Sequence, residues 1–174
     1  VRDAKMGAFY NHSPHRSMSN NSTAFKGKPS LTEFMEEWIA LMKSGTGERG
    51  IFNRAGLSTH LPERRVEMLG DAIDSVGTNP CGEIILQSKQ FCNLTEVVCR
   101  PEDDEKALLQ KIRLATILGT YQASLTNFPY LSKEWKEHCE AERLLGVSIT
   151  GQWDCTTVRN EKVLQKLKEE SIKV

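Results

Sequence analysis

Hydrophobic residues recur at the spacing of one helix face in four segments of the chain. The clearest segment follows Ser30 and Glu33, whose S-x-x-E spacing predicts a capping box in the first turn of a helix. Gly45 follows the last apolar position and suits the end of that helix, where a left-handed backbone conformation is common. The predicted apolar stripe of this helix comprises Leu31, Phe34, Met35, Trp38, Ile39 and Met42.

The remaining pattern alternates short apolar runs with longer amphipathic segments. Helices are expected after Pro101, from Ser132 to about residue 145, and from about Asn160, whereas residues 44–62 resemble a loop. Strands that alternate with helices predict an α/β fold with largely parallel strands. Short apolar or β-branched runs predict strands at 18–25, 83–86, 96–99 and 147–149.

Composition narrows the class of protein. The 174 residues include 23 Lys and Arg against 23 Asp and Glu, and this zero net charge argues against a direct nucleic-acid binder. Since no apolar run approaches the roughly 20 residues of a membrane span, no membrane association is expected. The five cysteines form an odd set without a secretory signal, which favours a reducing compartment, the cytoplasm.

Both ends of the chain have the pattern expected of a cut within a longer protein. The sequence starts at Val1 without an initiator methionine and stops at Val174 inside an amphipathic pattern. We therefore expect residues 1–174 to form part of a larger domain.

The densest cluster of chemically useful residues is the segment G-T-N-P-C-G-E at 77–83. Pro80 stiffens the entry to a tight loop, and Gly82 allows a turn beside Cys81. In an extended segment Cys81 and Glu83 would share a face, which pairs a thiol with a carboxylate base, while Asn79 supplies a neutral hydrogen-bonding group. From this loop alone, a buried cysteine in an ordinary turn is the favoured alternative.

A second cysteine, Cys92, follows Cys81 by eleven residues. If residues 83–86 and 92–98 form neighbouring strands, Cys81 and Cys92 would face one cavity. A metal site is not predicted, because no two cysteines have C-x₂₋₄-C spacing and the histidines His12 and His15 are distant in sequence.

The segments GTNPCGEI and FCNLTEVV resemble the active-site loop of ribonucleotide reductases, and more narrowly of the adenosylcobalamin-dependent class. Other segments agree with that family in the same order along the chain, and together they cover nearly all of it. They are HRSMSNNSTAF, SGTGERGIFNRAG, IRLATILGTYQASLTNF and ERLLGVSITGQWD.

The resemblance implies a radical mechanism that reduces ribonucleotides to 2′-deoxyribonucleotides. Cys81 matches the cysteine that carries the thiyl radical, and Glu83 matches the general base for the 3′-hydroxyl. Asn79 matches the asparagine that hydrogen-bonds the substrate. Cys92 matches one member of the reducing cysteine pair, whose partner would lie upstream of Val1. The residues Cys99, Cys139 and Cys155 match no redox position and are expected to be structural.

The resemblance also implies a setting for this chemistry. It implies adenosylcobalamin as cofactor, a ribonucleotide di- or triphosphate as substrate, a thioredoxin-type dithiol reductant and a possible nucleotide effector. The fold would be part of a ten-stranded α/β barrel with the Cys81 loop inside it, and this chain alone would be inactive. The segment Ser19, Asn20, Asn21 and Ser22 matches a strand near the substrate, although four small polar residues are equally typical of a strand edge.

Two alternatives remain open at this point. One is the class of ribonucleotide reductase whose radical comes from a separate metal-containing subunit. The other is a stand-alone binding domain that keeps the loop without the chemistry.

Overall fold

The computed structural model describes residues 3–19, 21–45 and 48–174 as a mixed α/β chain. It divides into two compact units, residues 1–88 and residues 89–174. In each unit one pair of parallel strands is joined through helical segments. The predicted α/β class is therefore confirmed. Among the described residues the strands form three two-stranded sheets and no closed barrel.

The first unit is built on the parallel pair β1 (Thr23–Phe25) and β2 (Ile51–Asn53), with Thr23 opposite Ile51. The helices are α1 (Phe9–His12), α2 (Leu31–Ser44), α3 (Leu57–His60) and α4 (Glu63–Leu69). Short 3₁₀ helices span Pro14–Met18, Arg54–Gly56 and Gly70–Asp74. The antiparallel hairpin β3 (Gly77–Thr78) and β4 (Ile85–Leu86) follows them.

Helix α2 begins and ends where the local signals predicted. The Ser30 hydroxyl accepts a hydrogen bond from the Glu33 amide at 3.2 Å, and the Glu33 carboxylate accepts one from the Ser30 amide at 2.8 Å. These bonds from Ser30 lower the pKa of Glu33. Gly45 takes a left-handed conformation with φ 65°, which terminates the helix. Within the described part of its unit, the apolar stripe is largely exposed at Leu31 and Met42.

The strand predicted at residues 18–25 is wrong in its first half. Pro14 fixes its own φ near the helical value and starts the 3₁₀ helix that continues to Met18. Among the described residues of that stretch, Thr23–Phe25 forms the strand, and it pairs with residues of the predicted loop 44–62, which contains β2 and α3.

The second unit is built on the parallel pair β5 (Asn93–Val98) and β6 (Leu145–Thr150), with Asn93 opposite Leu145 and Val98 opposite Thr150. Its helices are α5 (Glu105–Ser124), α6 (Lys133–Glu142) and α7 (Glu161–Lys173). Helix α5 lies on the sheet and α7 packs against α5. The core comprises Val97, Cys99, Leu108, Ile112, Ala115, Cys155, Val158, Val163 and Leu167.

Two boundaries in this unit differ from the sequence prediction. Helix α5 starts at Glu105 because the Asp104 side chain caps it, accepting from the Ala107 amide at 2.8 Å. The sequence pattern placed that start just after Pro101. Gly146 lies inside β6, where the predicted strand was shorter. None of the helices in the described residues is long and apolar enough to span a membrane.

Candidate functional site

The segment that carries Cys81 is the tip of the β3–β4 hairpin. The Asn79 amide donates to the Ile84 carbonyl at 3.1 Å, and the Gly82 amide donates to the Asn79 carbonyl at 3.0 Å. These bonds close a four-residue turn with Pro80 and Cys81 at its centre. Gly82 has φ 87°, a conformation that favours glycine, and it reverses the chain directly after Cys81. The extended geometry expected for residues 81–83 is therefore wrong, and the alternation argument that placed Cys81 and Glu83 on one face does not apply.

A different contact organises the polar residues of this turn. The Asn79 side-chain amide donates to the Glu83 carboxylate at 2.6 Å, and the Asn79 side-chain oxygen accepts from the Ile84 amide at 3.0 Å. Asn79 thus crosses the turn and orients Glu83, which is exposed. The structure brings Asn79 and Glu83 together through this hydrogen bond.

Cys81 lines a cavity of about 380 Å³ together with its neighbours Pro80 and Gly82. This volume falls in the usual range of small-molecule sites, roughly 300–1,000 Å³. Asn79 and Glu83 belong to the same hairpin but are not among the described residues that line the cavity.

Three of the four predicted substrate-binding residues line this same cavity. They come from the segment that leads into β1 and are Ser19, Asn21 and Ser22. The fourth, Asn20, lies outside the described residues. Hydroxyl and amide groups therefore share one cavity with the Cys81 thiol, which is exposed to solvent.

Two buried cations also line the cavity, and sequence reasoning missed both. Lys5 is only 3% exposed; its amine donates to the Ser19 carbonyl at 2.5 Å and to the Glu48 carboxylate at 2.8 Å. Arg49 is 8% exposed and forms an ion pair with Glu37. Each cation is matched by a carboxylate, so the cavity wall is strongly polar without a large net charge.

Only one of these cations carried a sequence signal. Arg49 lies in the segment SGTGERGIFNRAG, which the family resemblance already singled out. Lys5 lies in an irregular polar stretch where no periodicity marks it. Its burial depends on contacts with residues 14 and 43 positions away, and those contacts are not visible in a local pattern.

Cys92 belongs to the second unit and immediately precedes β5. Its side chain is half-buried. The adjacent residue Asn93 anchors the start of the strand, because its side-chain amide donates to the Leu144 carbonyl at 3.2 Å. The thiol is thus held at the amino-terminal end of β5.

The other three cysteines are buried in the second unit, as the structural interpretation predicted. Cys99 and Cys155 belong to the core beneath α5 and α7, and burial raises the pKa of the Cys99 thiol. Cys139 is buried on α6. A raised pKa keeps a thiol protonated and unreactive.

Comparison with known proteins finds curated reductases that are similar to this chain. Adenosylcobalamin-dependent ribonucleoside-triphosphate reductase from Lactobacillus leichmannii is 32% identical to this chain over 157 residues, covering 86% of the chain and 20% of the reductase. The enzyme of the same name from Levilactobacillus brevis is 33% identical over 144 residues, covering 80% of the chain and 18% of the reductase. The chain is similar to part of these reductases.

This similarity confirms the resemblance predicted from the motifs, and the similar reductases are named as adenosylcobalamin-dependent. The chain spans about a fifth of the length of the curated reductases that it matches. No protein-family model and no solved structure matches the chain.

Within the described ranges, no cluster of three or more His, Cys, Asp or Glu side chains could hold a metal ion. The two histidines considered earlier, His12 and His15, are exposed. The candidate functional site consists of the Cys81 hairpin and the polar cavity that Cys81 lines.

Proposed function

We propose that the full-length protein containing this chain reduces ribonucleoside triphosphates to 2′-deoxyribonucleoside triphosphates by a thiyl-radical mechanism. The observation that carries the proposal is the shared cavity of Cys81 with Ser19, Asn21 and Ser22. A cavity with hydroxyl and amide groups beside an exposed thiol suits a sugar phosphate whose ribose must approach sulfur. The triphosphate form and the cofactor are taken from the names of the similar reductases.

The described residues fit adenosylcobalamin in one respect. The Cys81 thiol lies at an exposed turn and lines a cavity, so it is accessible to a radical formed next to it. When bound, adenosylcobalamin supplies that radical by homolysis of its cobalt–carbon bond. A cavity of about 380 Å³ suits a nucleotide rather than a whole corrin ring, and we assign no corrin contact to these residues.

The first step uses Cys81 and Glu83. The Cys81 thiyl takes the hydrogen atom from C3′ of the ribose, which forms an S–H bond and leaves the unpaired electron on C3′. Glu83 takes the 3′-hydroxyl proton, and Asn79 orients Glu83 through the 2.6 Å hydrogen bond. This assignment requires the substrate to lie across the turn, with C3′ toward Cys81 and the 3′-oxygen toward Glu83. Hydrogen bonds to a catalytic base commonly form only in the substrate complex.

The second step removes the 2′-hydroxyl as water and needs two electrons. We assign one of the two reducing thiols to Cys92, and the other to a cysteine outside this chain. The pair ends as a disulfide, Cys81 returns its hydrogen atom to C3′, and the net products are deoxyribonucleotide, disulfide and water. A thioredoxin-type dithiol then reduces the disulfide by thiol–disulfide exchange.

The larger setting belongs to the same proposal. The parallel pairs β1–β2 and β5–β6 are taken as strands of a ten-stranded α/β barrel that the full-length protein completes. The Cys81 hairpin would be the finger loop at its centre. We propose a cytoplasmic enzyme with a nucleotide effector. The class with a separate metal subunit is less favoured, since the similar reductases are named for adenosylcobalamin.

The test is Cys81→Ser in the full-length protein with adenosylcobalamin, a dithiol and a ribonucleoside triphosphate. We expect deoxynucleotide formation to be lost, because a serine O–H bond is too strong to replace the thiol in hydrogen-atom transfer. Nucleotide affinity should stay within about threefold, since the hydroxyl is similar in size to the thiol and the turn is held by backbone bonds. Turnover near the wild-type rate would remove Cys81 from the radical role.

A further inference from the structure

We propose that Arg54 and Arg65 are positioning residues for Cys81, because each donates a side-chain hydrogen bond to a backbone carbonyl at the base of the hairpin that carries it. The inference rests on the proposed function for its catalytic consequence. The anchoring itself rests only on contacts within the first unit.

The hairpin needs support from outside its own strands. Strands β3 and β4 have only two residues each, and a two-stranded ribbon is marginally stable in water by itself. Its tip, from Pro80 to Glu83, is exposed. A short ribbon with an exposed tip would place the Cys81 sulfur loosely unless other elements hold the ribbon.

The carbonyls that the arginines contact point away from the partner strand. Asn79 and Ile84 are a hydrogen-bonded pair of the antiparallel hairpin. Along such a hairpin, hydrogen-bonded pairs alternate with non-hydrogen-bonded pairs. Ile85, opposite Thr78, is therefore at a non-hydrogen-bonded position, and Val76 occupies the equivalent position beyond Gly77. Their carbonyls accept hydrogen bonds from donors outside the partner strand, and an arginine side chain donates to each.

Arg54 holds the incoming strand. Its Nε donates to the Val76 carbonyl at 2.9 Å, and its guanidinium lies 5.8 Å from the centre of the Phe52 ring. Phe52 belongs to β2, lines the Cys81 cavity and packs on the core that contains the fully buried Val76. Arg54 therefore contacts both Phe52 in the cavity wall and the Val76 carbonyl at the base of the hairpin.

Arg65 holds the outgoing strand. It is half-buried on α4, and its Nη2 donates to the Ile85 carbonyl at 2.5 Å. The Ile85 side chain packs on the same core as Leu57 and Leu69. The neighbouring residue Arg64 is exposed on the same helix and provides a matched control.

Arginine suits this task better than lysine. Its guanidinium is planar, always charged and presents donors in fixed directions, so it fixes the position of a carbonyl rather than merely attracting it. A displacement of about 1 Å at a reacting atom can cost on the order of 100-fold in rate. The six residues 79–84 connect the two strands of the hairpin. The hydrogen bonds from Arg54 and Arg65 hold those strands and therefore control the position of Cys81 at the tip.

The experiment compares Arg54→Gln, Arg65→Gln and the control Arg64→Gln in the full-length protein. Hydrogen exchange of the 77–86 peptide is measured by mass spectrometry, together with kcat and the nucleotide Kd. We expect at least tenfold faster exchange of this peptide in the Arg54 and Arg65 variants, a roughly 10- to 100-fold lower kcat and a Kd within about threefold of wild type. Arg64→Gln should match wild type in all three measurements.

Two further readouts separate positioning from general folding. Hydrogen exchange in helix α2 should be unchanged in Arg54→Gln and Arg65→Gln. Arg54→Lys should recover less than half of the kcat that Arg54→Gln loses, because an ammonium lacks the directed donors of a guanidinium. Unchanged exchange at 77–86, faster exchange that extends through α2, or a normal kcat despite a loosened hairpin would each overturn the proposal.

Failure of the proposed function gives a different pattern. In that case wild type forms no deoxynucleotide, while the exchange measurement still reports on the arginine anchors. An inactive wild type with selective loosening of 77–86 in the variants would support the anchors and refute the reductase activity.

Discussion

At the scale of single residues, the chemistry was predictable but its geometry was not. The spacing N-P-C-G-E indicated a thiol, a carboxylate and an amide close together. It could not show that Gly82, with φ 87°, turns the chain between Cys81 and Glu83. Nor could it show that Lys5 lies buried at the cavity, because its partners Ser19 and Glu48 are distant in sequence.

The role proposed for Glu83 gives a prediction at this scale. Glu83→Gln should lower the rate of deoxynucleotide formation about 10²- to 10⁴-fold, or roughly 3–5 kcal/mol of barrier, because the amide cannot accept the 3′-hydroxyl proton. The products should not change. Glu67→Gln, at an exposed position on α4, is the control and should retain the wild-type rate. A loss smaller than about fivefold in Glu83→Gln would exclude a general-base role.

At the scale of elements, helices with local signals were predicted well and short strands were not. Helix α2 starts at the capping box of Ser30 and Glu33 and ends at the left-handed Gly45. Each of these signals involves only residues close together in sequence. Strand β1 has only three residues and depends on its pairing with β2. In that pairing Thr23 lies opposite Ile51, which is 28 positions later in the sequence. Such pairing is non-local, so no pattern within either segment reveals it.

The turn after β6 gives a prediction at this scale. Gly151 has φ 76°, and a Cβ there would collide with the backbone carbonyl of Cys99. Gly151→Ala should lower the free energy of unfolding by at least about 1–2 kcal/mol, since a side chain disfavours this conformation even without the collision. Urea denaturation measures the difference.

Gly27→Ala is the control for that measurement. A Cβ at Gly27 meets no atom within 4 Å, so its effect should stay within about 0.5 kcal/mol. Equal stability of Gly151→Ala and wild type would show that the turn adjusts without cost and that Gly151 is not required there.

At the scale of the whole molecule, the resemblance to adenosylcobalamin-dependent reductases could be predicted because the matching motifs occur in order along the chain. The similarity to the curated reductases spans 80–86% of the chain. The two parallel pairs agree with the expected α/β class, whereas the ten-stranded barrel stays a prediction. A closed barrel requires strands that pair across most of a protein, and this chain matches about a fifth of its relatives' length.

The central claim is that Cys81 carries the radical and Cys92 delivers reducing equivalents. The most direct test is product analysis of wild type, Cys81→Ser and Cys92→Ser full-length proteins with labelled ribonucleoside triphosphate, adenosylcobalamin and a dithiol. Wild type should give deoxynucleotide, and Cys81→Ser should leave the substrate unchanged. Cys92→Ser should release free base and become inactivated, because the substrate radical forms without its reductant. Normal deoxynucleotide at normal yield from Cys92→Ser would contradict the account and make Cys92 a structural cysteine.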